Sequence, residues 1–189
     1  MKELAKTKNF KSADGETLPY FEYKNNNKSD SAIVLIYEIF GMTNHIHKLA
    51  NTYAENGFIV HVPDIFSRIE KNVALPYNRE GYDKGISLKE KIGWQIPVMD
   101  IVSCASQLKR NFNVTVLGYC FGGSLGWLAM QKSFIFDKGI CYYGSSISDF
   151  LNNNINCPAM LHFGKKDKGI TAKSIEKIKV YTTQQRQNV

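Results

Sequence analysis

The chain has 189 residues, 43% of them hydrophobic, which is enough for one globular domain with a substantial core. No apolar stretch approaches the roughly 20 residues of a membrane span, and the charged residues 1–6 lack the apolar region of a secretory signal. The net charge of +7 comes from scattered lysines without a nucleic-acid-binding motif. These features predict no membrane or nucleic-acid partner, and they leave a basic surface that would attract a small anion.

Taken in chain order, the predicted elements alternate between strands and helices. Strands are expected at 18–23, 32–37, 58–62, 114–117, 139–143 and 159–163; the first alternates like an edge strand and the second is apolar enough to be buried. Helices are expected at 45–56, 87–110, 124–130 and 174–180, with an interruption of the long one near Gly93 and Pro97 and a loop over 64–86. This alternation predicts one α/β domain over residues 1–189 with a mostly parallel sheet.

The cysteine pattern indicates a reducing environment. The four cysteines form no C-x-x-C pair and no metal-ligand spacing, and three of them lie in apolar or helical segments. Such spacing favours free thiols in the cytoplasm over a disulfide framework. No metal site is expected.

Residues 118–123, Gly-Tyr-Cys-Phe-Gly-Gly, are the most informative segment. They lie between a predicted strand and a predicted helix, the context in which such a turn presents a nucleophile. The glycines let strand and helix approach closely around Cys120, and the helix N-terminus would favour its thiolate. The alternative, a small buried hydrophobic cysteine, fits the flanking glycines less well. The glycine order also differs from the G-x-G-x-x-G of a dinucleotide-binding loop, so no cofactor is expected.

Several segments, in chain order, resemble the dienelactone hydrolase family of the α/β-hydrolase fold. They are residues 37–41 (Tyr-Glu-Ile-Phe-Gly), 62–68 (Val-Pro-Asp-Ile-Phe-Ser-Arg), 118–123, 141–144 (Cys-Tyr-Tyr-Gly) and 162–167 (His-Phe-Gly-Lys-Lys-Asp). The resemblance implies an α/β-hydrolase-type three-layer sandwich. It also implies that a cysteine nucleophile cleaves a small ester or lactone.

Acyl transfer needs a nucleophile, oxyanion donors, a base and a group that orients the base. On this sequence Cys120 is predicted as the nucleophile, and the backbone N–H groups of Phe121 and Ile39 as the oxyanion donors. The resemblance implies that Glu38 lies beside the cysteine and helps control its protonation, and that Asp167 is the acid that orients the base. The alternatives are an ordinary loop glutamate and a solvated aspartate among lysines.

Arg68, Arg79 and Tyr82 lie in the variable loop region and are candidates for substrate binding. A planar guanidinium suits a carboxylate, so the predicted substrate is anionic. Surface arginines are common, however, and these residues also have an ordinary structural interpretation.

No histidine follows Asp167, although this fold places the catalytic histidine after the acid. His162 is expected to be a structural residue of a buried strand, and His45 and His47 are too weak a pair to predict a metal site. The resemblance therefore implies a C-terminally truncated member that lacks the last strand and helix, which we expect to be marginally stable or to self-associate. Two functions stay open: a cysteine hydrolase, and a non-catalytic remnant or binding protein that keeps the fold.

Overall fold

The computed structural model describes residues 5–25, 28–185 and 188–189. In these residues seven strands form one sheet in the order β1-β2-β4-β3-β5-β6-β7. The strands are β1 (Ala5–Lys11), β2 (Thr17–Tyr23), β3 (Ser31–Ile36), β4 (Ile59–Pro63), β5 (Asn113–Tyr119), β6 (Lys138–Tyr142) and β7 (Ala159–His162). The five strands from β4 to β7 are parallel, and β1 and β2 join them as antiparallel strands. The predicted mostly parallel sheet is confirmed.

The antiparallel hairpin at one edge of the sheet differs from the prediction. The strand expected at 18–23 is present as β2, but it lies between β4 and β1 and not at the edge. The edge strand is β1, which the sequence did not indicate. Of its side chains only Phe10 is fully buried and most of the others face water, so the strand carries little hydrophobic periodicity.

β3 lies in the middle of the sheet because its sequence is apolar on both faces. Residues 32–36 are buried, and β3 pairs with β4 on one side and with β5 on the other. Parallel strands that helices cover on both faces need such continuous apolar runs. At the carboxyl ends, Ile36 lies opposite Gly118 of β5. This register brings the loop after β3 next to the turn after β5.

Helices cover both faces of the sheet and give the predicted three layers. They are α1 (Asn44–Glu55), α2 (Arg79–Ile92), α3 (Gln95–Lys109), α4 (Phe121–Lys132) and α5 (Ala172–Gln184). α4 packs on one face, where Gly126 lies against the side chain of Val116. α1 packs on the opposite face. Tyr119 and Val116 are three residues apart on β5, so their side chains point to opposite faces, and the Tyr119 hydroxyl contacts that of Tyr53 on α1. None of the described helices is long and apolar enough to cross a membrane.

The helix expected at 87–110 is two helices, and the break is at Gly93, whose φ is 67°. Pro97 does not interrupt α3, because it lies in the first turn, where its missing N–H leaves no helical bond unmade. α2 begins at Arg79, well before residue 87, because two glycines that indicated a loop are packing positions. A Cβ on Gly85 would collide with the carbonyl oxygen of Ile39, so α2 lies directly against the loop after β3.

β7 is the other edge strand of the sheet. Its residue Met160 is 61% exposed, and His162 is exposed as well. The expectation that His162 belongs to a buried strand is therefore wrong. Its ring stacks on Tyr142, with 4.6 Å between centroids, and Tyr142 stacks on Tyr119 at 4.8 Å. The described helices leave this end of the face open to solvent.

Candidate active site

Cys120 lies on a sharp turn between β5 and α4. Its backbone has φ 55° and ψ −117°, and non-glycine residues rarely adopt such a positive φ. The neighbours must be small: a Cβ on Gly118 would collide with the Gly122 carbonyl oxygen, and a Cβ on Gly122 with that of Ile36. The Cys120 N–H donates to the Tyr142 carbonyl oxygen at 3.0 Å. The turn has the geometry of a nucleophile elbow.

The surroundings of the Cys120 sulfur act in opposite directions on its protonation. Burial raises the pKa of the thiol above its usual value, and the Glu38 carboxylate raises it further. Two backbone N–H groups, those of Phe121 and Ile39, hydrogen-bond to the sulfur and lower the pKa. Burial is the larger effect, whereas the sequence led us to expect that the helix N-terminus favours the thiolate. The site therefore combines a buried sulfur with two backbone donors directed at it.

The Glu38 carboxylate is held by two tyrosines. Tyr77 Oη donates to Glu38 Oε2 at 2.7 Å, and Tyr143 Oη donates to Oε1 at 3.1 Å. Burial and the Glu38 charge raise the pKa of Tyr77 to about 12, so this phenol remains a donor at neutral pH. A half-buried carboxylate needs such partners. They fix Glu38 where its charge acts on the sulfur of Cys120.

Tyr77 and Tyr143 are candidate functional residues that the sequence analysis did not select. Tyr143 follows β6 with a φ of 39°, again a positive value in a non-glycine residue. Its segment resembles the family, but the pattern does not show that the phenol meets a glutamate 105 residues away in the chain. Tyr77 lies in the region expected to be a loop, where sequence periodicity assigns no direction to a side chain.

Asp167 lies in the loop after β7, and its side chain is exposed. Its Oδ1 accepts the backbone N–H groups of Gly169 at 2.7 Å and Ile170 at 3.3 Å, which fold the loop around the carboxylate. Within the described ranges, neither Asp167 nor Cys120 hydrogen-bonds to a histidine side chain. The role of Asp167 as the acid that orients a base stays a prediction.

The histidines lie in other parts of the fold. His45 is exposed in the first turn of α1. The other three contact side chains of the sheet: His47 meets Tyr23, His61 meets Glu22 and His162 stacks on Tyr142. Burial lowers the pKa of His61, and the hydrogen bond from His61 lowers the pKa of Glu22 to about 2. None of these four residues is placed as a base for the cysteine.

The guanidinium of Arg68 is engaged by two carboxylates. Its Nε and Nη2 donate to the Asp100 oxygens, both at 2.7 Å, and its Nη1 lies 2.9 Å from Asp14 Oδ2. Asp100 is fully buried in α3 and also accepts from Ser12 Oγ at 2.6 Å. The fork that was predicted to bind a substrate carboxylate therefore binds a carboxylate of the fold. Arg68 thus ties the β1–β2 turn to α3, and its role in substrate binding stays a prediction.

Arg79 and Tyr82 lie on the solvent side of the first turn of α2. Arg79 pairs with Asp83 at 2.9 Å, and its guanidinium carbon is 5.9 Å from the centroid of the Tyr82 ring. The Arg79 side chain is 86% exposed and Tyr82 is 46% exposed. Neither hydrogen-bonds to Glu38 or Cys120 in the part of the chain that is described. Their role in substrate binding stays a prediction.

A lysine that the sequence analysis did not select lies over the rings next to the nucleophile. Lys89 Nζ, on α2, is 5.2 Å from the centroid of the Trp94 ring and 5.9 Å from that of Phe121. The two rings meet edge to face at 5.2 Å. Burial raises the pKa of Cys120, and the positive charge of Lys89 partly offsets this effect. The ammonium group is therefore part of the electrostatic surroundings of the sulfur.

A cavity of about 830 Å³ lies in the groove between α3 and α4, and Cys120 and Glu38 do not line it. A cavity of about 340 Å³ lies against Thr43 and Tyr77, on the Glu38 side. The donors on the sulfur, and not cavity size, identify the site. The described residues contain no group of three or more His, Cys, Asp or Glu that could hold a metal ion.

Comparison with known proteins shows the family of the chain. The family model described as the dienelactone hydrolase family matches residues 20–189. The chain belongs to the dienelactone hydrolase family. Carboxymethylenebutenolidase 1 of Cupriavidus pinatubonensis is 32% identical over 153 residues, which cover 76% of this chain and 64% of that protein. Carboxymethylenebutenolidase of Pseudomonas putida is 26% identical over 149 residues, 75% of this chain and 63% of that protein. The chain thus spans less than two thirds of the length of these family members.

Solved structures from the dienelactone hydrolase group have the same fold. A Klebsiella pneumoniae protein provisionally described as a dienelactone hydrolase superposes with a TM-score of 0.81 at 19% identity, over 97% of this chain and 82% of that one. A dienelactone hydrolase-like promiscuous phosphotriesterase from metagenomic libraries gives a TM-score of 0.72 at 15% identity, over 98% and 79%. These likenesses confirm the α/β-hydrolase-like fold.

Proposed function

We propose that this dienelactone hydrolase-family chain carries the acylation chemistry of a cysteine hydrolase that cleaves a small, anionic ester or lactone. The observation that supports it is the arrangement around Cys120, where the N–H groups of Phe121 and Ile39 bond to the sulfur and the Glu38 charge acts on it. An oxyanion that forms on an acyl group bound to this sulfur would lie close to the same two donors.

The acylation step follows from these positions. Cys120 Sγ attacks the carbonyl carbon, the S–C bond forms, and the thiol proton passes to the Glu38 carboxylate. The carbonyl oxygen becomes an oxyanion and accepts hydrogen bonds from Phe121 and Ile39. When the carbonyl re-forms, the ester C–O bond breaks, and the departing alkoxide takes from Glu38 the proton that the thiol had given to it. Loss of the thiol proton during the attack suits a cysteine whose pKa burial raises.

Hydrolysis of the thioester is a separate requirement. It needs a base that activates water, and such help contributes on the order of 10²–10⁴ in rate. Within the described residues no histidine side chain hydrogen-bonds to Asp167 or Cys120, and this observation favours a second candidate function. In that case the chain is a non-catalytic binding protein that keeps the fold of the family.

An activated ester separates the two candidates. We expect p-nitrophenyl acetate to release one equivalent of p-nitrophenol per chain and to leave an acetyl group on Cys120, which mass spectrometry of the peptides would locate. Cys120→Ala should abolish the burst, and Cys157→Ala should retain it. A folded chain that shows neither burst nor acetylation would contradict the hydrolase and favour the binding protein. Sustained turnover that Cys120→Ala abolishes would show that a base acts in the chain.

We also propose a cytoplasmic location and self-association. The first is supported by the four cysteines, which are free thiols in the structure. The second is supported by the exposed side chains of β7, among which Met160 is 61% exposed. Sedimentation velocity over a concentration series should show a dimer that Met160→Lys weakens. A monomer at every concentration would contradict self-association.

A further inference from the structure

The groove between α3 and α4 is open to solvent, although much of its lining is apolar. Four apolar side chains lie along it, two of them buried and two half-buried: Val98, Leu128, Met99 and Val102. Its volume of about 830 Å³ lies in the range of small-molecule sites, roughly 300–1,000 Å³. A concave apolar surface of this kind that water reaches is typical of a ligand-binding groove.

Hydrogen bonds between distant segments hold the two rims of the groove in place. On one side Ser103 Oγ accepts the backbone N–H of Ala13 at 3.1 Å, so the β1–β2 turn meets α3. On the other side the Gln131 amide donates to the Phe150 carbonyl oxygen at 2.8 Å, which fixes the loop after β6 against α4. The groove is therefore formed by the fold itself and needs no rearrangement to admit a ligand.

The two ends of the groove differ in charge. α3 leads into β5 and α4 leads out of it, and the strands that they connect are parallel, so the two helices run in the same direction. Trp94, just before α3, lies at one end, with its ring 4.9 Å from that of Phe150. Lys132, in the last turn of α4, lies at the other end. Of the described residues that line the groove it is the only charged one, and none of the ion pairs between described residues includes it.

We propose that this groove binds an amphiphile with one negative head group and an unbranched apolar chain, for which a medium-chain carboxylate is the simplest example. The head group pairs with Lys132 Nζ, and the chain lies along α3 towards the Trp94 ring. Residues 95–103 of α3 extend over about 12 Å at 1.5 Å per residue, which is the length of a chain of about ten carbon atoms. The flexible side chain of Met99 suits such a partner. The site is separate from Cys120, so it does not depend on the proposed hydrolase.

The head group is tested by titration calorimetry with decanoate below its critical micelle concentration. Decanoate should bind the wild type saturably, with one molecule per chain. Lys132→Met should raise the Kd about two- to fivefold, the range of a solvent-exposed ion pair, and Lys132→Arg should restore it. Lys91→Met, which changes an exposed lysine of α2 outside the groove, should leave the Kd unchanged. Decyltrimethylammonium, which has the same chain and a positive head group, should bind more weakly than decanoate.

The apolar part of the groove is tested by two substitutions on α3. Val102→Glu places a carboxylate beside the bound chain and should abolish measurable binding. Ser106→Glu adds the same charge at an exposed position outside the groove and should leave the Kd unchanged. Far-ultraviolet circular dichroism would show that both variants fold.

Three outcomes would overturn the proposal. The first is a titration of the wild type without saturable binding. The second is an equal loss of affinity in a groove variant and its control, since binding would then reflect general surface charge. The third is protection of Cys120 from iodoacetamide by saturating decanoate, which would place the ligand at the nucleophile. A chain that binds decanoate in the groove but gives no burst with p-nitrophenyl acetate would lose the hydrolase and keep this site.

Discussion

Replacement of Arg68 by methionine tests whether its guanidinium serves the fold. The fully buried Asp100 carboxylate accepts two 2.7 Å bonds from Arg68 and one 2.6 Å bond from Ser12, so Arg68→Met leaves this charge with the serine alone. Removal of one partner of a buried ion pair costs about 3–5 kcal/mol. Because the Arg68 side chain is 13% exposed and water reaches its outer edge, we expect about 2–3 kcal/mol. For a chain of this size that lowers the Tm by about 5–10 °C.

The measurement is thermal and urea unfolding by far-ultraviolet circular dichroism, with Arg79→Met as the matched control. The Arg79 ion pair is exposed to solvent, so the same substitution there should move the Tm by no more than about 2 °C. The ratio of the rates at which anionic iodoacetate and neutral iodoacetamide alkylate Cys120 should stay at the wild-type value in Arg68→Met. Equal stability of the two variants, together with a lower ratio in Arg68→Met, would refute the reasoning and return Arg68 to the substrate site.

The remaining predictions concern the site and its support. Glu38→Gln removes a charge that raises the Cys120 pKa, so iodoacetamide labelling at neutral pH should become about three- to tenfold faster; an unchanged rate would place the carboxylate out of reach of the sulfur. Gly118→Ala should prevent folding because its Cβ would collide with backbone, whereas Gly126→Ala, 3.5 Å from its nearest neighbour, should keep the wild-type Tm; equal Tm values would contradict the packing of the elbow. The hydrogen bond from the buried His61 lowers the pKa of Glu22 to about 2. Ionised Glu22 should therefore stabilise the fold above pH 4.5, and this stabilisation should be lost as the pH falls towards 2. If the difference in urea midpoint between the wild type and Glu22→Gln stayed constant over this pH range, the prediction would be wrong.

The parts of the fold and site that the sequence predicts are those with local causes. An apolar run gives β3, and glycines around Cys120 give the elbow. The donors at Ile39 and Phe121 are backbone N–H groups, whose place is set once the strand end and the turn are located. A backbone N–H group has no side-chain rotamer, so its direction follows from the backbone alone. Their role in stabilising an oxyanion is still a prediction.

Long side chains and strand environments depend on partners that the local sequence does not contain. Arg68 reaches away to Asp100, 32 residues along the chain, because a fully buried carboxylate attracts a guanidinium more strongly than water does. The open face around His162 has a similar origin, since burial of a strand depends on what packs over it and not on its own alternation. The two tyrosines that hold Glu38 come from a loop and from the end of β6, so the sequence around Glu38 does not indicate them.

The positive φ of Cys120, 55°, lowers the thermal stability of the protein. A non-glycine residue in such a conformation stores about 1–3 kcal/mol of backbone strain, and glycine would release it. The same holds for the backbone of Tyr143, with a φ of 39°. A library sorted for survival at high temperature alone would therefore enrich glycine at position 120 and discard the sulfur. Screens for more thermostable variants of this protein therefore need an assay that depends on the Cys120 thiol in addition to the heat treatment.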